Sequence, residues 1–289
     1  MATSKRPGFQ REFTNTSLTE IGLAENVIYN TYGDRVSVEA KGKNLEKFGS
    51  NFTVGNTYET VGQFQGTVAN ETYVTTNIID SVVSGDAADT TQTVTIEGHT
   101  VDAVGNLTFV VQDAELNGLT EVTLTTPLAR TSRAFIKASG TYAAPVTQTI
   151  GTVYIYDNTD GITAGVPNTP EATKLLILPE DNQSEKASTS TSSTEYWIVS
   201  FFGASVGVSG GSAARVTFRL ELRDVYNGGL WRPAYRDIVL DVGQNGDANV
   251  RRPYLIIPKN HDVRVKAKTN ANTASVFAEA AGYLAKIIT

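Results

Sequence analysis

The stretch 215–225 alternates without a break: Val216, Phe218, Leu220 and Leu222 share one parity, and Arg215, Thr217, Arg219, Glu221 and Arg223 share the other. A period of two puts successive side chains on opposite faces of an extended chain; a helix would need a repeat of about 3.6 residues. Val263, Val265 and Ala267 against Arg264, Lys266 and Lys268 repeat the pattern. Each segment reads as a strand with one apolar face and one basic face.

Period-two alternation and β-branched enrichment dominate from about residue 73 onward. They predict strands over 73–84, 92–97, 107–112, 121–126, 132–138, 151–156, 174–178, 195–206, 237–241 and 254–257. Residues 274–288 read as a long mixed strand whose Ala-rich centre also suits a short helix. Gly105-Asn106 and Asn117-Gly118 mark tight turns. Many short strands with almost no helical periodicity predict an all-β fold, an antiparallel β-sandwich or jelly roll. The length of 289 residues suits two lobes. The Gly/Pro loop 157–173 is the expected divide, which gives an N-terminal arm at 1–30, a first lobe at 31–160 and a second at 161–289. Strand exchange between the lobes stays open.

The arm is polar and without sustained periodicity, apart from a possible short helix at 18–27. It sets Lys5, Arg6 and Arg11 beside Phe9 and Phe13, as a segment ordered against a partner would. Residues 30–70 are rich in Gly, Asn and Thr, with one strand expected at 35–40. Tyr29, Tyr32, Phe48, Phe52, Tyr58 and Phe64 are spread through this loop-like region and would pin it to a surface. The Ser/Thr run 184–194 reads as a polar connection.

Charge is unevenly placed. The net −6 divides into −11 over residues 1–210 and +5 over 211–289. An acidic chain is a poor ligand for a phosphate backbone, so no nucleic-acid partner is expected. The basic C-terminal quarter is either a strand pair with solvated cations or a surface that docks on an acidic partner. No apolar run approaches the roughly 18 residues of a membrane helix, and no secretory leader is visible, so the expected site of synthesis is the cytoplasm.

The chain has no Cys and only His99 and His261, which excludes thiolate chemistry and leaves few proton shuttles or zinc ligands. Both histidines read as surface residues near turns. Asp157-Asn158-Thr159-Asp160-Gly161 has the oxygen-rich character of a calcium loop but lacks the later acidic ligand, so an Asx turn is expected. The glycines at 207, 210 and 211 lack a phosphate-binding spacing and read as a hairpin tip. No Gly-x-Ser-x-Gly elbow occurs. Neither an enzyme nor a cofactor is expected. Trp197 lies among apolar neighbours and reads as core. Trp231 suits packing across the end of its own sandwich, or, with Tyr226 and Tyr235, stacking on a glycan.

Residues 78–90, Ile-Ile-Asp-Ser-Val-Val-Ser-Gly-Asp-Ala-Ala-Asp-Thr, and then Thr93-Val94-Thr95-Ile96-Glu97-Gly98, resemble a "SxxAADT…TVTIEG" signature of virion structural proteins of tailed phages. Glu121 to Arg130 is similar to that family's "AVTTTNxYLRV" strand. Arg252 to Ala267 is similar to its "PxxIPxxTDIxVRA" segment, and Asn270 to Glu279 to a "NNTxVSA" run. The chain departs from the pattern at Asn260-His261-Asp262 and in a longer loop at 180–194. The resemblance covers roughly residues 70–289 and implies a non-enzymatic virion component. It points first to a decoration or cement protein on the major capsid protein, as a homo-oligomer such as a trimer. A neck or tail part and a glycan-binding module are the alternatives. The expected contact residues are Phe9, Arg11, Phe13, Phe48, Phe52, Tyr58 and Phe64, then Arg215, Arg219, Arg223, Arg264, Lys266 and Lys268 on the basic face, and, separately, Trp231.

Overall fold

The computed structural model describes residues 27–29, 35–138, 147–207, 215–235, 237–249, 255–270 and 273–287. Phe9, Arg11 and Phe13, the helix considered at 18–27 apart from Val27, and the tip residues Gly210 and Gly211 lie outside the described residues.

The fold is all-β and every strand pairing is antiparallel. A 3₁₀ turn at Pro170–Ala172 is the sole helical element among the described residues. Two hydrophobic cores form. The first is enclosed by a four-stranded sheet ordered Thr173–Ile177, Val153–Tyr156, Ile79–Ser84, Val122–Leu128, and a three-stranded sheet ordered Leu107–Glu115, Thr93–Val101, Arg130–Ile136. Val82, Ile96, Leu128, Ile155 and Ile177 are wholly buried in it.

The second core lies between two larger sheets. One runs Val27–Tyr29, Arg35–Val54, Ala274–Ile287, Glu195–Val206, and the last of these also pairs with Asn245–Asn249 and Leu255–Ile257. The other runs Ser188–Ser190, His261–Thr269, Arg215–Asp224, and Ile238–Asp241 and Arg232–Pro233 both join Arg215–Asp224. The alternation read from the sequence sets the register here. Phe218 lies opposite Ala267 and Leu220 opposite Val265, all buried, while Arg219 faces Lys266 and Glu221 faces Arg264 on the outer side. Each large apolar side chain so buried contributes roughly 1.5–3 kcal/mol.

Some readings change, and one left open is decided. Residues 41–54 are not loop: one strand continues through Arg35–Val54 and pairs along Ala274–Ile287. Its parity is hidden because polar or small residues, Lys47 and Gly49, occupy buried positions. Ala274–Ile287 is strand throughout, with Ala274, Val276, Ala278 and Ala280 buried at a period of two. Gly282 continues this row where the Ile198 carbonyl would stand 1.9 Å from any Cβ, so only glycine lets the neighbouring strand approach.

The cores do not divide at residues 160/161. Thr173–Ile177 returns antiparallel to Val153–Tyr156 and stays with the first core, so the Gly/Pro loop is a connection inside it. Arg35–Val54 and Glu59–Thr60 belong with the C-terminal strands. The chain passes between the cores after Leu178, along the Ser/Thr run. Ser184, Lys186, Ser188, Thr189, Ser190, Thr191 and Ser192 are buried there, contrary to the expected polar loop. Backbone bonds account for this burial. The Ser184 amide donates to Ala134 O, Ala187 to Val61 O, Thr191 to His261 O and Ser193 to Leu107 O.

Candidate interaction surfaces

The basic strand pair carries its own partners. Arg219 is bidentate on Asp237 at 2.9 and 2.8 Å, Arg264 donates to Glu221 at 3.0 Å, and Arg215 donates to Asp241 at 3.0 Å. Arg223 bonds Asp262. Aromatic rings cover what remains. Arg219 and Lys268 each lie 4.5 Å from the centre of the Tyr58 ring, and Arg264 lies 3.8 Å over Trp231. Arg223 is held between Tyr73 and Trp231, at 4.8 and 4.9 Å. Hydrogen bonding from Arg219 holds the Asp237 carboxyl below its ordinary range. Burial, and then the Arg264 charge, push the Lys266 ammonium down. The six cations are therefore on one sheet face, as the alternation predicts, but the expected open docking surface is neutralised from within.

Trp231 packs against its own chain, with its ring 5.1 Å from Tyr73 and one face occupied by Arg264. The glycan platform loses that face. Tyr226 is exposed at the turn beyond Asp224, whereas Tyr235 packs on the second core. Trp197 is buried in the core, as expected.

The N-terminal aromatics do not make one surface. Phe48 stacks on Phe277 at 6.2 Å on the outer side of the Arg35–Val54 sheet. Phe52, 63% exposed, and Phe64 line a separate concavity of about 520 Å³ with Ser50, Gln63 and Leu176. Tyr58 lies on the basic strand pair instead.

Sequence reasoning missed the ionic junction. Asp262 is fully buried and accepts from Arg130 Nε at 2.8 Å, Arg130 Nη2 at 3.1 Å and Ser190 Oγ at 2.7 Å, besides Arg223. Burial alone would raise its pKa. The adjoining Arg130 and Arg223 outweigh that and hold it below the ordinary value. A second pair lies beside it: Lys186 Nζ meets Glu71 at 2.7 Å and Thr131 O at 2.8 Å, and Ser188 Oγ donates to Glu71 at 2.6 Å. Lys47 Nζ donates to Ser132 O at 3.1 Å. Arg130 and Thr131 come from a strand of the first core, Asp262 and Ser188 from strands flanking the second. Burial depresses the Lys174 ammonium nearby and raises the Tyr73 phenol well above its usual value.

The histidines also differ from expectation. His99 is buried and meets Phe109 edge-on at 5.3 Å; His261 is buried with Nδ1 2.9 Å from Lys259 O. Asn260, at φ 56°, receives Leu107 N on its side-chain oxygen at 2.9 Å, which ties this turn to the first core. One signal of the junction was available: residues 183–196 contain neither Gly nor Pro, which a solvated loop would favour.

No family model matches the chain, and no curated protein is similar to it. Among solved structures, infectious bursal disease virus Gt strain shares 11% identity over 90% of this chain and 75% of that chain, with a TM-score of 0.22. The VP2 subviral particle of infectious bursal disease virus shares 10% over 88% and 73%, with a TM-score of 0.21. Likeness at these scores carries no argument about fold or role.

The polar residues of the 78–90 segment are spent on structure. Ser84 Oγ donates to the buried Asp89 at 2.6 Å, and Asp89 also receives the Ile150 and Gly151 amides at 2.9 and 3.0 Å. At the expected Asx turn, Asp157 Oδ1 accepts from the Thr159 amide at 3.1 Å, and Asp160 Oδ2 accepts from Thr169 Oγ at 2.5 Å. That is the geometry of an Asx turn. Among the described residues no group of three His, Asp or Glu side chains is arranged to hold a metal ion.

Proposed function

We propose that this chain is a non-enzymatic structural component of a tailed-phage virion, made in the host cytoplasm. In this reading it is a homo-oligomeric, preferably trimeric, decoration protein seated on the major capsid protein. The observation that carries the reading is the junction: Arg130, Asp262, Lys186 and Glu71 are buried in ion pairs, with the half-buried Arg223 also on Asp262, and these pairs join two β cores. Two of these residues, Arg130 and Asp262, lie in the segments that resemble tailed-phage virion proteins. A buried network of this kind favours one fixed arrangement over a hinged one, which suits a part loaded by its neighbours in a shell. A particle reconstruction tests the proposal. Density for this chain on the head shell, at a copy number comparable to that of the capsid subunits, supports decoration. A single ring at the neck or tail moves it to an adaptor or tube-associated role, and absence from purified particles overturns it.

A further inference from the structure

The strand Arg35–Val54 ends in a β-bulge. Asn51 lies opposite Val276 and Val54 opposite Ala274, so three steps on one strand face two on the other and one residue is extra. A bulge turns side chains out of the regular alternation of a sheet. Here it leaves Phe52 63% exposed on the wall of the concavity of about 520 Å³. Side chains hold the bulge in place. Asn51 Oδ1 accepts from the Thr53 amide at 3.0 Å, Glu59 accepts from the Gly55 amide at 2.8 Å, and Asn51 Nδ2 donates to Glu59 at 3.3 Å.

The other walls are fixed as well. Phe64 folds back over Gly62, its ring 3.3 Å from where a Cβ would stand. Gln63 Nε2 donates to Ser50 Oγ at 3.1 Å and to Glu185 at 3.2 Å. The loop that carries Thr67 turns at Gly66, φ 60°, and Gln65 ties it to the first core through Pro167 O at 2.8 Å and the Thr173 hydroxyl. Leu176 and Leu178 close the side of the first core. Apolar side chains held together at the surface in this way mark a contact site, and a concavity of this size with a few placed polar groups suits a small ligand. The polar groups are the exposed Thr53 and Thr67 hydroxyls and the Glu59 carboxylate, set around two phenyl rings. A ligand with one apolar face and hydroxylated edges meets both sets. A sugar ring has that form: its C–H face lies on a phenyl ring while its hydroxyls reach oxygen acceptors at the edge. Glu59 disfavours a sugar that carries negative charge.

We infer that this concavity binds a neutral oligosaccharide, stacked on Phe52 and hydrogen-bonded by Thr53, Thr67 and Glu59. The site belongs to the chain itself at any place in a particle, so its failure leaves the virion proposal standing.

The test is saturation-transfer NMR on the full chain, with maltotetraose, cellotetraose and chitotetraose as the probes. Transfer to the carbon-bound ring protons of at least one of them is expected. Phe52→Ala weakens its apparent affinity about ten-fold, the scale of one stacked ring, whereas Phe52→Tyr keeps the ring and the binding. Tyr226→Ala, which removes an exposed ring elsewhere on the chain, leaves binding unchanged. Because Phe52 is exposed, the unfolding midpoint of Phe52→Ala stays at that of the parent. If it falls, Thr67→Arg, which crowds the concavity from its exposed rim, is read in its place and also weakens binding. No transfer to any of the three probes, equal transfer in the parent and Phe52→Ala, transfer to sialyllactose alone, or a loss in Tyr226→Ala as large as that in Phe52→Ala overturns the inference.

Discussion

The second core has two outer faces, and they invert what their sequences suggest. Arg215, Arg219, Arg223 and Arg264 look like an open basic surface, yet Asp241, Asp237, Asp262 and Glu221 neutralise them, and Tyr58, Tyr73 and Trp231 cover three of them. The opposite face reads as a polar loop followed by an Ala-rich stretch, yet it carries Phe48 and Phe277 with two carboxylates that repel each other. Charge counted along a strand reports what must be solvated or paired. It does not say which of the two happens, because the partners come from residues distant in sequence.

The sharpest way to break this contrast is at Asp262, where the paired face continues into the junction. Asp262→Ala leaves Arg130 buried, and Arg223 half-buried, without their counter-charge, and a loss of about 3–5 kcal/mol is expected. Urea denaturation measures it; a loss below 1 kcal/mol would mean that the junction is not structural. The pH dependence has a definite sign. Because the folded-state pKa is depressed, the stability from Asp262 is complete above the ordinary carboxylate value near 3.8 and fades as pH falls through the lower folded value. Asp262→Asn removes that acid-sensitive component, so the mutant's stability curve is flatter than that of the parent below this pH.

Trp231 comes next. Its ring covers Arg264 and Arg223 and packs on Tyr73, so Trp231→Ala removes cation–π contact and apolar area together, at a cost of about 1–3 kcal/mol. If Trp231 served an external ligand instead, the unfolding midpoint would stay where it is. Arg219→Ala is smaller again, about 0.5–1 kcal/mol, because the pair with Asp237 is partly exposed. Its effect shrinks on going from low to high salt, whereas that of Trp231→Ala persists. Equal salt dependence in the two variants would remove the distinction between pairing and stacking on this face.

Legibility followed the same physics. Strands whose inward positions are apolar, such as Arg215–Asp224 and His261–Thr269, were readable because one parity is water-free and the sequence records it. Residues 41–54 and the run 184–194 were not, because their buried positions hold Gly49, which has no side chain, and Lys47, Ser188 and Ser190, which bond to partners far along the chain. The division between cores was misplaced for a related reason. Gly and Pro mark where a chain turns, and at 157–172 it turns back into the same sheet. Of the proposed contact residues, the basic set was located on its face from parity alone. That Trp231 and Tyr58 cover that face was beyond reach, since neither lies within the two strands they shield.

The smallest effect lies on the other face. Phe277 is 36% exposed, and its stacking with Phe48 is on the solvent side of the sheet, so Phe277→Ser should change stability by about 0.5 kcal/mol or less. Phe218, a phenylalanine of the facing sheet but fully buried, is the internal reference: Phe218→Ala should cost about 3–5 kcal/mol. Paired denaturation curves of the two variants measure the difference directly. A large loss for Phe277→Ser would mean that this ring is covered in the folded protein, and the contrast between the two faces would then be smaller than their exposures imply.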